Sequence, residues 1–171
     1  MIAIEPITAA NLQIFKTIRL RALEDTPSAF ASTYARESQM SDEEWRNRVE
    51  RWSGEHGIGF LAFDKNTASD GGAACGIAGA FLDPNDRSRA QLISMWTAPS
   101  HRQRGVGRML VDEVAAWAQG RGAAVLQLMV TSRNDAAMHF YERLGFKRTG
   151  RTEPYPNDAA LMEYEMARRL A

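Results

Sequence analysis

A chain of 171 residues, 44% hydrophobic and 25% charged, has the size and composition of one soluble globular domain spanning residues 1–171. Lys plus Arg and Asp plus Glu each number 21, so no broad basic surface serves nucleic acid or an anionic membrane, and neither is expected as a partner. The one cysteine, Cys75, excludes an intramolecular disulfide and a cysteine-rich zinc site, and fits a reducing compartment.

Met1 to Glu5 alternates loosely and predicts a first strand. It lacks a basic n-region, and Glu5 and Pro6 interrupt its apolar character, so no secretory leader is expected. Thr8 can cap a helix over about Ala9 to Leu23, where Leu12, Phe15, Ile18, Leu20 and Leu23 recur at helical spacing; Asp25-Thr26-Pro27 ends it. Ser41, followed three residues later by Glu44, forms a capping-box pattern that opens a helix to about Trp52. Ile58 to Phe63 and Ala73 to Leu82 read as an antiparallel hairpin across the polar loop Asp64 to Gly72. The apolar stretch around Ile77 to Leu82 is the longest and falls far short of the roughly 20 residues of a membrane span, so a cytoplasmic location is expected. After the turn at Asp83 to Asp86 comes a third segment, Ala90 to Thr97. Gly105 to Gln119 predicts an amphipathic helix closed by Gly120, with Val106, Leu110, Val114 and Trp117 on one face. Ala124 to Val130 is a buried strand, and Asn134 to Leu144 a helix stopped by Gly145. Phe146 to Arg151 and Leu161 to Met166 close the chain as strands around the loop Thr152 to Ala160. The order β-α-α-β-β-β-α-β-α-β-β predicts an α+β fold with a mixed sheet.

The stretch Arg102-Gln103-Arg104-Gly105-Val106-Gly107-Arg108 sits where a strand turns into a helix. A helix start carries unpaired N–H groups and partial positive charge, so it suits an anion. Gly105 and Gly107 let a phosphate approach the backbone, and Arg102, Arg104 and Arg108 can add charge-assisted hydrogen bonds. A pyrophosphate is the natural guest. No Gly-Lys-Ser/Thr triplet completes a Walker loop, and Leu110 stands where a dinucleotide fingerprint needs its third glycine. Taken alone, the same residues also fit a tight turn with surface arginines.

A second constellation runs from Asn134 to Phe146. Asn134 and Tyr141 are seven residues, about two turns, apart and share a helix face on which Ala137 leaves room. Taken alone, Asn134 also fits a helix N-cap and Tyr141 a core ring with a wet hydroxyl.

Together the two stretches carry a resemblance. Arg102-Gln103-Arg104-Gly105-Val106-Gly107 matches the Arg/Gln-x-x-Gly-x-Gly/Ala loop, and Asn134-x-x-Ala137-x-x-x-Tyr141-x-x-x-Gly145-Phe146 matches the second signature, of the GNAT superfamily of acyl-CoA-dependent N-acetyltransferases. The chain resembles that family strongly over Leu92 to Phe146, and in element order over nearly its whole length. The resemblance implies a mixed, mostly antiparallel central sheet flanked by helices, with a splayed strand pair holding acetyl-CoA as acyl donor. It implies that Met95, Trp96 and Thr97 offer backbone groups to the acetyl and pantetheine portions. The backbone of Arg104, Gly105, Val106, Gly107 and Arg108 would hold the pyrophosphate, with Arg102 and Gln103 leading into that loop. Asn134 and Ala137 would line the pantetheine path, and Tyr141 would sit beside the thioester sulfur as general acid.

The expected reaction is direct attack of a primary amine on the thioester in a ternary complex. An unperturbed lysine-type amine has a pKa of about 10.4 and must lose a proton first. A backbone N–H near Met95 to Thr97 would stabilise the oxyanion. The position where some family members carry a glutamate base holds Gln91, which leaves a water chain or a carboxylate such as Glu37. The acceptor is expected to be a small molecule, framed by Leu23 to Glu37 and Arg151 to Ala160 with Ser28, Tyr34, Glu37, Glu153, Tyr155 and Asp158 as candidates. A protein or peptide acetyltransferase and a noncatalytic acyl-CoA sensor are the alternatives, and a homodimer fits the resemblance.

No metal is implied: His56, His101 and His139 show no ligand spacing. His101 reads as a turn residue, His139 as a solvated helix residue and Cys75 as a small buried hydrophobe. Trp45 and Trp52, seven apart on one helix face, read as packing.

Overall fold

The computed structural model describes residues 1–67 and 73–170. Residues 68–72, the tip of the expected polar loop Asp64 to Gly72, lie outside them. Strand β1 covers Ile2–Pro6. Thr8 caps the next turn as expected: Ala10 N donates to its hydroxyl at 3.3 Å and Thr8 N donates to Asn11 Oδ1 at 2.8 Å. That box closes a 3-10 turn over Ala9–Asn11, so α1 (Leu12–Asp25) starts three residues later than the periodicity suggested. A single-turn helix α2 (Tyr34–Glu37) follows, too short to leave a periodic signal. The Ser41/Glu44 capping box is present in both directions and opens α3 (Asp42–Arg51).

Strands β2 (Gly57–Asp64), β3 (Ala73–Leu82) and β4 (Arg89–Thr97) form an antiparallel meander. Helix α4 (Val106–Gly120) then crosses over to β5 (Val125–Thr131), and α5 (Asp135–Arg143) leads to β6 (Lys147–Pro154) and β7 (Met162–Arg169). The last two strands run three residues past the predicted ends at Arg151 and Met166. β6 is a sheet edge, where burial no longer marks the strand, and the extra residues of β7 pair with β5 through Gln127, Leu126 and Val125.

One seven-stranded sheet results, in the order β1-β2-β3-β4-β5-β7-β6. Every neighbouring pair is antiparallel except β4 and β5. Those two pair only through Arg89↔Val125, Ala90↔Leu126 and Gln91↔Gln127. Beyond that point β4 stays with β3 and β5 stays with β7, so the strands part. The expected splayed pair is therefore present in the α+β fold.

The register between β3 and β4 slips between Ile77↔Trp96 and Gly79↔Ile93. Ala78 thus faces both Ser94 and Met95, a bulge in which Ser94 takes φ +58°. The largest apolar packing lies on the β1–β4 side. Phe15 sits between Trp45 and Trp52, with ring centroids 5.5 and 5.2 Å away, which bears out the packing role expected for both tryptophans. Trp52 lies across Gly59, where a Cβ would stand 2.0 Å from its ring. Cys75 is buried, and burial pushes its thiol above the usual range. Among the described residues no helix is long and apolar enough to cross a membrane.

Candidate active site

The parting of β4 and β5 opens a cleft of about 760 Å³. Met95, Trp96 and Thr97 line it from β4, and Gln103, Gly105, Val106, Gly107 and Arg108 from the loop and first turn of α4. Asn134, Ala137 and Tyr141 line it from α5 and its cap, and Arg102 borders it too. Of the residues expected to hold the acyl donor, only Arg104 stays outside the lining; its guanidinium leans 3.8 Å from the Asp64 carboxylate.

The loop before α4 takes its shape from two left-handed residues, Gln103 at φ +60° and Gly105 at φ +82°. A Cβ on Gly105 would meet nothing within 4 Å, so this glycine is required by its backbone angle alone. Gly105 is also the N-cap of α4 and supplies no side-chain cap. The first N–H groups of α4 are therefore open to an anion. Gly107 lines the cleft and also serves packing. A Cβ there would stand 2.9 Å from Phe140 Cζ and 3.1 Å from Met95 Cε, so its bareness lets α5 close against α4.

The arginines of the loop are braced by the protein. Arg102 donates from Nε to Thr97 O at 3.0 Å and from Nη2 to Asp25 Oδ2 at 2.7 Å. Asp25 also accepts from Thr26 Oγ1 at 2.7 Å and from Trp96 Nε1 at 3.0 Å. Those bonds, Thr26 first and Trp96 next, hold its carboxyl below the usual range. Asp25 thereby ties the end of α1 to both β4 and the loop. His101 closes the 3-10 turn Pro99–His101, with Nε2 2.9 Å from Asp64 Oδ2 and Nδ1 2.7 Å from Ser100 Oγ. The hydrogen bond to His101 and then the Asn66 N–H keep the Asp64 carboxyl below its ordinary value.

On α5, Asn134 Oδ1 accepts from Ala137 N at 3.2 Å, so Asn134 caps the helix while also lining the cleft. Tyr141 is 8% exposed, with its ring against Phe140 and Phe146 at 5.1 and 5.6 Å. Burial raises its phenol, which therefore keeps its proton at neutral pH. Gln91 lines the cleft at the point where the strands part, opposite Gln127.

Glu37 is not a base. Its carboxylate is fully buried, and takes two hydrogen bonds from Arg19, at 3.0 Å each, and one from Arg48. Burial pushes it up, but the hydrogen bonds and charge of Arg19, with the charge of Arg48, outweigh that and bring it down to about 2. A carboxylate so held does not collect a proton at neutral pH. Glu37 instead orients Arg19, whose Nη1 donates to Ser94 Oγ in the β4 bulge at 2.8 Å.

None of the six acceptor-side candidates lines the cleft. Tyr34 is 44% exposed and Asp158 caps a turn at Ala160 N. Glu153 faces Glu163 across the β6–β7 pair, and the Ser28 carbonyl accepts from Thr131 Oγ1 at 2.6 Å. Tyr155 is a staple: its hydroxyl donates to Phe30 O at 2.6 Å, and Asn157 Nδ2 donates to the same oxygen at 3.3 Å. The lining on that side comes from Arg19, residues 29–32 and Glu163. Glu163 was missed by sequence reasoning. Its signal was the alternation Glu163-Tyr164-Glu165-Met166, which puts two carboxylates on one face of a strand.

Residues 20–146 match the model of the acetyltransferase (GNAT) family. The chain is 32% identical over 141 residues to a ribosomal protein bS18 alanine N-acetyltransferase of Salmonella typhimurium, covering 82% of this chain and 87% of that one. It is 47% identical over 53 residues to a streptothricin acetyltransferase of Streptomyces lavendulae; this match spans 31% of the chain and only 28% of that relative's length. In fold it is similar, with a TM-score of 0.79 at 22% identity over the whole of both chains, to an acetyltransferase of GNAT family from Streptococcus pneumoniae. The two signatures, the parted strands and the match over most of the chain agree: this protein belongs to the GNAT acetyltransferase family.

Proposed function

We propose that the protein moves the acetyl group of acetyl-CoA to a primary amine of a small molecule, by direct attack in a ternary complex with Tyr141 as general acid. The observation that carries this reading is the parting of β4 and β5 beyond Gln91 and Gln127, with Tyr141 lining the gap. The acyl donor's pyrophosphate meets the uncapped start of α4 and its pantetheine runs past Ala137. The bulge at Ser94 and Met95 frees a backbone N–H of β4 for the oxyanion. Tyr141 protonates the departing thiolate.

Two observations favour a small acceptor. Tyr155 and Asn157 tie the β6–β7 loop to Phe30, which bounds the cleft mouth where an extended peptide would need an open groove. One relative is named as a streptothricin acetyltransferase. The relative named for the alanine terminus of a ribosomal protein favours a peptide acceptor as the second reading.

Calorimetric titration with acetyl-CoA, CoA, ATP and NADH tests the cleft without an acceptor; selective binding of the two CoA compounds is expected. ATP or NADH binding in their place would overturn the acyl-donor assignment. Tyr141→Phe is expected to lower kcat by about 100-fold or more while acetyl-CoA affinity stays within about twofold. Unchanged kcat would remove Tyr141 from its role.

A further inference from the structure

We propose that Glu163 binds the acceptor's ammonium group and takes its first proton, so that the cleft selects amines that arrive as cations. The inference rests on the acetyl-transfer reading above and names the group which that reading leaves open.

Glu163 stands in β7 directly opposite Thr131 of β5 and Glu153 of β6. Paired residues in a sheet point to one face. Thr131 reaches Ser28 O, so that face is the one covered by the chain after α1. Residues on the other face of β7 include Arg168, five positions on, whose guanidinium lies 5.2 Å from the Phe146 ring centroid. Phe146 in turn packs on Tyr141. Glu163 and Tyr141 therefore border the same cleft from opposite faces of the sheet, and the gap beside β5 joins the two faces. An amine can enter from one side and a thiolate leave on the other.

The ion pairs around Glu163 leave it a vacancy for a cation. Arg151 pairs with Glu153 and, at 3.5 Å, with Glu165; Thr149 Oγ1 donates to Glu165 at 2.9 Å. Arg19, the cation that lines the cleft from α1, is engaged by Glu37 and Ser94. Among the described residues no cation pairs with Glu163. The groups facing it are thus Glu153 and Arg151 on β6, Glu165 on its own strand and Arg19 across the cleft. Burial first, and Glu153 second, raise its carboxyl above the usual range, which makes it a stronger base than a surface carboxylate.

The protons balance. The ammonium gives one to Glu163, which passes it to solvent. The neutral nitrogen attacks the thioester carbon, the C–N bond forms and the C–S bond breaks as Tyr141 protonates sulfur. The nitrogen's second proton then restores the phenol. The products are the amide, the free thiol and one proton in solution.

The test uses purified wild type and Glu163→Gln, acetyl-CoA, and three amines: 1,4-diaminobutane, lysine and an alanine-initiated hexapeptide. Acetyl-CoA affinity by calorimetry is expected to agree within twofold between the two proteins. Thiol release is expected to fall about 100-fold in Glu163→Gln at pH 7, the gap narrowing toward pH 9 as solution supplies free amine. Should Glu163→Gln fail to fold, Glu163→Asp is expected to keep the wild-type pH profile at a reduced kcat. Parallel pH profiles for wild type and Glu163→Gln, or a Glu163→Asp profile that shifts, would overturn the assignment. Acetyl-CoA bound by wild type with none of the three amines turned over would overturn it too, while leaving the acyl-donor cleft intact. Loss of acetyl-CoA binding by wild type itself would instead overturn the reading beneath it.

Discussion

All eight residues of β2 are buried, whereas seven of the eight in β6 are exposed. The two strands lie on opposite sides of the gap in one sheet. On the β1–β4 side, helices cover both faces, and apolar packing is close enough that Gly59 has no room for a methyl group. On the β5–β7–β6 side, the outer strand presents Lys147, Arg148 and Arg151, charges that discourage edge pairing with another sheet. A rigid wall and a more polar wall thus flank the cleft, the second lined at the gap by Leu128, Met129, Val130 and Thr131 of β5 and backed by charged β6. The first supplies backbone groups fixed by a bulge; the second supplies side chains that can titrate.

The contrast breaks most visibly at the buried ion pairs of the rigid side. Glu37→Ala leaves Arg19 buried without its carboxylate and is expected to cost about 3–5 kcal/mol, read as a fall in Tm of roughly 10 °C. A Tm within 2 °C of wild type, on that roughly 10 °C scale, would show that Glu37 braces nothing. The same group sets an acid limit. Its carboxyl is depressed in the fold from 4.5 to about 2, so its stabilisation is complete above about pH 4.5 and disappears as pH falls toward 2. Glu37→Gln is expected to flatten that part of the stability–pH curve, and an unchanged slope would assign acid unfolding to other carboxylates. Next in size, Gly59→Ala forces a methyl group against Trp52 and is expected to cost about 1–3 kcal/mol in chemical denaturation. Gly105→Ala has open space but an unsuitable backbone angle, so about 1 kcal/mol is expected, together with weaker acetyl-CoA binding as the loop turns its N–H groups away. Stability loss without loss of affinity would separate the loop from the ligand. On the polar side Arg151→Ala removes its pairings with Glu153 and, at 3.5 Å, with Glu165; because Arg151 itself is exposed, the effect is expected to stay at about 1 kcal/mol. A larger loss there would make the two walls mechanically alike.

Much of this was legible before any coordinates. The Thr8 cap, the Ser41 box, the Asn134 cap and Gly145 at φ +91° each act over three or four residues, so neighbours in sequence determine them. Period-two and period-3.6 patterns placed every strand and the longer helices, and the residues of the two loop-and-helix signatures expected to hold the acyl donor, Arg104 apart, stand at the cleft on the α4 and α5 side. Tertiary structure decided the rest, for a physical reason: the deciding contacts join residues far apart in the chain. Glu37 looked available until Arg19 and Arg48 met it in the core. Gly107 read only as room for a phosphate; its packing against Phe140, 33 positions on, showed only in the fold. Tyr155 looked like an acceptor contact until its hydroxyl found Phe30, 125 residues away. Glu163 became a cleft residue only through the register that set β7 beside Thr131. Local composition determines which elements form; which charges are neutralised, and which remain to do chemistry, depends on what the fold brings beside them.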